Sequence, residues 1–135
     1  MNKIQIKRLR KLYDHLKNGK LGHSEFNFNF FNWSDDARDY DEKGCGTMGC
    51  AVGELPFVFP RYWEFKYHNP YLKGSDTGLS SLGLASEFFG ISYEEATHLF
   101  IPDLQQPERY GGVHLDANAT RQQVADNILK FLNRQ

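Results

Sequence analysis

Apolar residues along the chain change their spacing several times, and each change marks an element. Over residues 1–20, Ile6, Leu9, Leu12, Tyr13 and Leu16 recur three and four residues apart, with Lys3, Lys7, Arg10, Asp14 and Lys17 opposite. That spacing predicts an amphipathic helix stopped at Gly19. In SEFNFNFFNW, residues 24–33, Phe26, Phe28 and Phe30 alternate with asparagines, the period-2 pattern of a half-buried strand. Residues 34–44, SDDARDYDEKG, are polar and acidic and read as a loop. Their aspartates lack the D-x-[DN]-x-[DN]-G order of a calcium loop.

Thr47 is a natural N-cap for a short helix over Met48–Leu55, with Pro56 and Pro60 expected to end any helix there. RYWEFKYH, residues 61–68, alternates Trp63, Phe65 and Tyr67 with charged residues and reads as either a second short strand or an extended edge, whereas NPYLKGSDTG, residues 69–78, reads as a loop. Leu79, Leu82, Leu84, Ala85, Phe88 and Phe89 suit a buried helix closed by Gly90. Ser92 to Glu95 has capping-box form, with Ile91 and Ala96 spaced as a hydrophobic staple, and the helix it opens runs to Leu99 and Phe100 before Pro102. A stretch rich in Gln, Pro and Gly follows as a loop. A second capping box, Thr120 to Gln123, opens a last helix with Val124, Ile128, Phe131 and Leu132 inward.

These elements describe an α+β fold, mainly helical: an N-terminal helix, two short aromatic strands pairing as a small antiparallel sheet, and four further helices packed against it. At 135 residues, 40% of them hydrophobic, the chain is expected to form a single compact domain over 1–135.

Charge modifies this picture by its distribution rather than its sum. A net charge of −1 excludes a dedicated nucleic-acid coat or a polybasic membrane binder. Yet Lys3, Lys7, Arg8, Arg10, Lys11, Lys17 and Lys20 crowd the first helix against Asp14 alone, and Asp35, Asp36, Asp39, Asp41 and Glu42 crowd the acidic loop against Arg38. The basic helix face is a candidate binding surface through Lys3, Lys7 and Arg10, the alternative being an ordinary solvated face. The aromatic row 26–30 has no interleaved basic residue, so core packing explains it better than base stacking. No apolar run is long enough to span a bilayer, and the N-terminus is too polar for a secretory segment. A cytoplasmic protein with no membrane association is expected, its two cysteines free, metal-bound or redox-active rather than structurally bridged.

KGCGTMGCAVGELP, residues 43–56, holds both cysteines. With Thr47 as N-cap, Cys45 falls just before the helix and Cys50 within it. A helix N-terminus would favour a Cys45 thiolate, with His15, His23, His68, His98 or His114 as base. Alternatively Cys45, Cys50 and Glu54 with a remote histidine could ligate a metal, although C-x4-C is looser than the usual zinc knuckle. A third reading makes both sulfurs small core fillers beside Gly49 and Gly53, where another backbone approaches. No metal or cofactor is expected from the motif alone.

CGTMGCAVG, residues 45–53, followed by ASEFFGISYEEATHLF, residues 85–100, resembles an uncharacterised family of small bacterial and phage proteins. Its pattern is C-G-T-x-x-C-A-x-G-H, then E-F-F-G-L-S-Y-E-E-A-x-x-L-F. Cys45, Gly46, Thr47, Cys50, Ala51 and Gly53 match, whereas Glu54 stands where the pattern has His, which speaks against a shared Cys/His site. The resemblance covers the middle and much of the C-terminal half and implies a phage or mobile-element connection without an established activity.

The expected function is that of a non-enzymatic accessory protein that binds a macromolecule, a protein partner before a nucleic acid. The competing class is a metal- or cysteine-dependent enzyme using Cys45 and Cys50. The candidate binding residues are Lys3, Lys7, Arg10, Cys45, Thr47, Cys50 and Glu54.

Overall fold

The computed structural model describes residues 1–22, 51–66, 69–75 and 78–135. The expected strand at 24–33, the acidic loop, Cys45, Thr47 and Cys50 lie outside the described residues.

Helix α1, Lys3–Asn18, begins at Asn2, whose side chain accepts from the Gln5 N–H while the Gln5 side chain accepts from the Asn2 N–H. This reciprocal box satisfies two amides that the first turn leaves unpaired. Leu9, Leu12 and Leu16 are completely buried, as their spacing predicts, but Ile6 sits at the rim, 36% exposed. The inward stripe is therefore narrower than the sequence pattern indicated. At the other end the Arg121 guanidinium donates to the carbonyls of His15, Leu16 and Gly19. A cation on unpaired C-terminal carbonyls complements the helix dipole, and this one ties the last helix to the first.

The chain is next described from Ala51. A 3₁₀ turn, Val52–Glu54, leads into a one-turn helix α2, Leu55–Val58. Pro56 thus sits in the first turn of α2, and Val52–Glu54 form a 3₁₀ turn where an α-helix was expected; residues 48–50 of that expected helix lie outside the described residues. A first-turn proline removes no helical hydrogen bond, because its missing N–H would have been unpaired there anyway. Strand β1, Trp63–Lys66, pairs antiparallel with β2, Asn69–Leu72, in the register Trp63↔Leu72 to Lys66↔Asn69. The partner of β1 is accordingly the segment read as a loop. Pro70 is tolerated because both strands of a two-stranded sheet are edges, and the Ser81 hydroxyl fixes β2 by donating to the Pro70 carbonyl at 2.6 Å.

Helices α3, Ser81–Phe89, and α4, Tyr93–Phe100, form where expected, with Ser80 and Ser92 as N-caps. Gly90 joins them at φ 66°, a left-handed conformation, and lies against the Gln5 side chain of α1 where an added Cβ would clash. Between Pro102 and Thr120 the expected loop contains a further one-turn helix, α5, Pro107–Tyr110. Gln105 organises this loop: its amide donates to the carbonyls of His98 and Ile101 and accepts from the Leu115 N–H. The Asn127 side chain holds Val113 through both its N–H and its carbonyl. Helix α6, Arg121–Leu132, opens on the Thr120 capping box and buries Val124, Ile128, Phe131 and Leu132.

The described residues thus form an α+β fold of six α-helices, a 3₁₀ turn and a two-stranded antiparallel sheet. Helix α1 packs most extensively on α6 and also touches α2 and α3. Aromatic rings run through the core: Trp63 meets Phe88 edge-on at 5.6 Å, Phe88 meets Phe59 and Phe89 at 5.0 and 5.2 Å, and Phe89 meets Phe100 at 6.1 Å. These contacts explain the aromatic residues of this cluster as core packing. No helix among the described residues is long and apolar enough to cross a membrane.

Candidate functional site

Two adjoining surface clefts meet over α1. The larger, about 420 Å³, is lined by Arg8 of α1, Arg61 and Tyr62 before β1, Leu72 and Lys73 at the end of β2, and Glu87 and Phe88 of α3. The smaller, about 260 Å³, is lined by Ile4, Lys7, Arg8, Lys11, Phe59 and Tyr62. Arg8 and Tyr62 belong to both. Five cations therefore share one face with Glu87 as the acid among the lining residues. None of the five pairs with a carboxylate among the described residues, whereas Lys17 and Arg109 do, with Asp126 and Glu94. Five cations against one carboxylate leave an excess of positive charge, which holds a positive potential over the clefts.

Arg8 is fixed in place. Its Nη1 donates to the Phe88 carbonyl at 2.9 Å, and its guanidinium lies 4.1 Å from the Phe88 ring centroid and 5.4 Å from that of Tyr62. Lys11 lies over Phe59 and Arg61 over Tyr62. Lys73 is held to the rim by donating from Nζ to the Pro60 carbonyl and from its backbone N–H to the Tyr62 carbonyl. Ile4 and Tyr62, 62% and 41% exposed, supply apolar and aromatic surface between the charges.

Of the helix-face residues expected from sequence, Lys7 lines this site, while Lys3 and Arg10 are exposed on α1 outside both clefts. The site uses the neighbouring stripe Ile4, Lys7, Arg8 and Lys11, spaced i, i+3, i+4, i+7. An apolar Ile4 on an otherwise basic stripe was the available signal. Arg61 and Lys73 carried none, since their approach to α1 is a tertiary event.

Glu54 is placed differently from a free ligand. It is completely buried, and its Oε1 accepts from the Gly22 N–H at 2.8 Å and lies 2.7 Å from His15 Nε2. With the carboxylate as acceptor, His15 carries its hydrogen on Nε2. The pair ties the 3₁₀ turn to the C-terminal turn of α1 and the chain beyond it. Among the described residues no group of three or more His, Cys, Asp or Glu could hold a metal ion.

The other base candidates are dispersed. His114 is exposed, and His23 and His68 lie outside the described residues. His98 is completely buried against the Tyr110 ring, centroids 4.9 Å apart, and its Nδ1 accepts from the Gln106 N–H at 2.8 Å. Its hydrogen therefore sits on Nε2, which has no hydrogen-bond partner among the described residues. Burial lowers its pKa below the usual 6.5, opposed by the Gly111 backbone and assisted by His114. A proton added at Nδ1 would face the Gln106 N–H donor. The folded state thus resists protonation more than the unfolded chain. Its contribution is complete above about pH 6.5 and declines as pH falls from there toward the folded pKa, by up to about 1.4 kcal/mol per pH unit. Urea unfolding followed between pH 7 and pH 5 should show that loss, and His98→Gln should flatten it; equal slopes in the two proteins would count against His98 as its source.

Comparison of the chain with models of known families, with curated proteins and with solved structures finds no match in any of the three.

Proposed function

We propose that this chain is a non-enzymatic accessory protein, of the phage or mobile-element kind its motif resemblance implies, that acts in the cytoplasm by binding an acidic protein partner. The observation that carries this reading is the set of five cations, Lys7, Arg8, Lys11, Arg61 and Lys73, gathered around Tyr62 without ion-pair partners among the described residues. Carboxylates of a partner would neutralise them, and exposed Ile4 and Tyr62 would give the contact apolar area. A protein is favoured over a nucleic acid because the clefts are short and mixed with apolar surface, and because the chain as a whole is slightly acidic.

An acidic model peptide should bind the wild-type protein in a salt-sensitive way. Arg61→Glu with Lys73→Glu should weaken that binding at least about tenfold at low salt, while Lys3→Glu with Arg10→Glu changes it by less than about threefold. Equal losses from both pairs would mean general charge rather than this face.

A second reading, a metal- or cysteine-dependent enzyme, draws on one observation: the hydrogen bond between His15 of α1 and Glu54, a residue of the cysteine stretch. Carboxylate–histidine pairs of this form orient metal ligands and general bases. Stoichiometric zinc in protein purified without a metal-affinity tag, or turnover lost in Cys45→Ser, would favour it over the binding reading.

A further inference from the structure

Resting on the binding reading above, we propose that the larger cleft takes a phosphate monoester carried on a side chain of the acidic partner. Three features point to it. The first is charge: two guanidinium groups and an ammonium, opposed by Glu87, line one cleft of about 420 Å³. A phosphate monoester carries about −1.5 to −2 charges near neutral pH and matches the resulting excess, whereas one carboxylate leaves part of it uncompensated.

The second is preorganisation. Arg8 uses Nη1 on the Phe88 carbonyl and is stacked against Phe88, so its orientation is set before a ligand arrives. Its remaining N–H groups, like the whole Arg61 guanidinium, have no acceptor among the described residues. A planar fork whose N–H groups are unmatched among the described residues suits the paired oxygens of a phosphate, and a fixed fork loses less side-chain entropy on binding.

The third is the wall. Tyr62, Leu72 and Phe88 offer apolar surface beside the cations, which suits a phosphate on a side chain with an apolar body, phosphotyrosine above all. The volume is that of a pocket for a small group, so a phosphorylated side chain enters while flanking acidic residues meet Lys7 and Lys11 in the adjoining cleft.

The test measures binding of the full chain to three short acidic peptides identical but for a central phosphotyrosine, tyrosine or glutamate, with a single-stranded oligonucleotide in parallel. The phosphopeptide should bind about tenfold or more tightly than either peptide relative, with inorganic phosphate competing. Arg8→Lys keeps the charge but not the fork and should lower binding of the phosphopeptide by a clearly larger factor than binding of the glutamate peptide. Arg61→Gln, at an exposed position whose contact is the Tyr62 ring, should reduce the preference, with urea unfolding of the same variant showing that the fold is kept. Equal binding of the phosphotyrosine and glutamate peptides would overturn the phosphate inference and leave the acidic-partner reading standing. Tight oligonucleotide binding with no binding of any peptide would overturn both, as would no binding of any of the four.

Discussion

Glu54→Ala is expected to lower the unfolding free energy by about 3–5 kcal/mol, a fall of roughly 10–20 °C in Tm for a chain of this size. The carboxylate is fully buried and receives hydrogen bonds from the Gly22 N–H and His15 Nε2. Its removal strips both donors of their acceptor and opens a void between the 3₁₀ turn and α1. Glu54→Gln retains one acceptor oxygen and should cost less, about 1–2 kcal/mol. A double-mutant cycle separates the pair from its surroundings. His15→Phe combined with Glu54→Leu should cost clearly less than the sum of the two single changes, because each single change leaves one polar partner stranded. Additive losses would mean that the two side chains stabilise the fold independently. A loss below about 1 kcal/mol in Glu54→Ala would show that the carboxylate is not structural and return it to consideration as a ligand.

Phe88→Ala should be comparably damaging, by about 3–5 kcal/mol. Phe88 is 4% exposed and touches the rings of Phe59, Tyr62, Trp63 and Phe89, so its loss removes the residue through which the sheet, the α2 segment and α3 meet. It also carries the Arg8 guanidinium on its face. Phe88→Leu separates these two roles. It keeps most of the buried volume and should cost about 1–1.5 kcal/mol, while removing a cation–π contact worth about 0.5–2 kcal/mol to the placement of Arg8. Anion binding should therefore weaken more in Phe88→Leu than its stability loss accounts for. Urea titrations beside peptide-binding curves measure both quantities. If binding follows stability in proportion across the two variants, the ring packs the core but does not position Arg8.

The basic face and the core are thus not independent. Arg8 is anchored to a core residue, Lys73 to the turn before β1, and Arg61 stands next to Tyr62, whose ring packs on Phe88. A site built this way keeps its cations apart in fixed positions despite their mutual repulsion. An anion bound there would relieve that repulsion, which is the physical basis for expecting strong salt dependence of the proposed binding.

The residues themselves determined the helices whose causes are local. The 3.6-residue spacing of Leu9, Leu12 and Leu16, the Ser92 and Thr120 capping boxes and the left-handed Gly90 all act within a few positions, so α1, α3, α4 and α6 were legible from the pattern. The tertiary structure alone decided the rest. NPYL has weak strand character and contains a proline, and it becomes β2 because β1 lies beside it and Ser81 holds its Pro70 carbonyl. Pro56 lies within the first turn of α2, the second residue of the helix, because what a proline does depends on where the helix register places it. Ile4 on a basic stripe of α1 hinted at the candidate site, but what completes the clefts lies outside α1. Arg61 and Lys73 reach Arg8 from more than fifty positions away, and Glu54 reaches His15 across 39, through the burial of apolar surface that brings distant segments together.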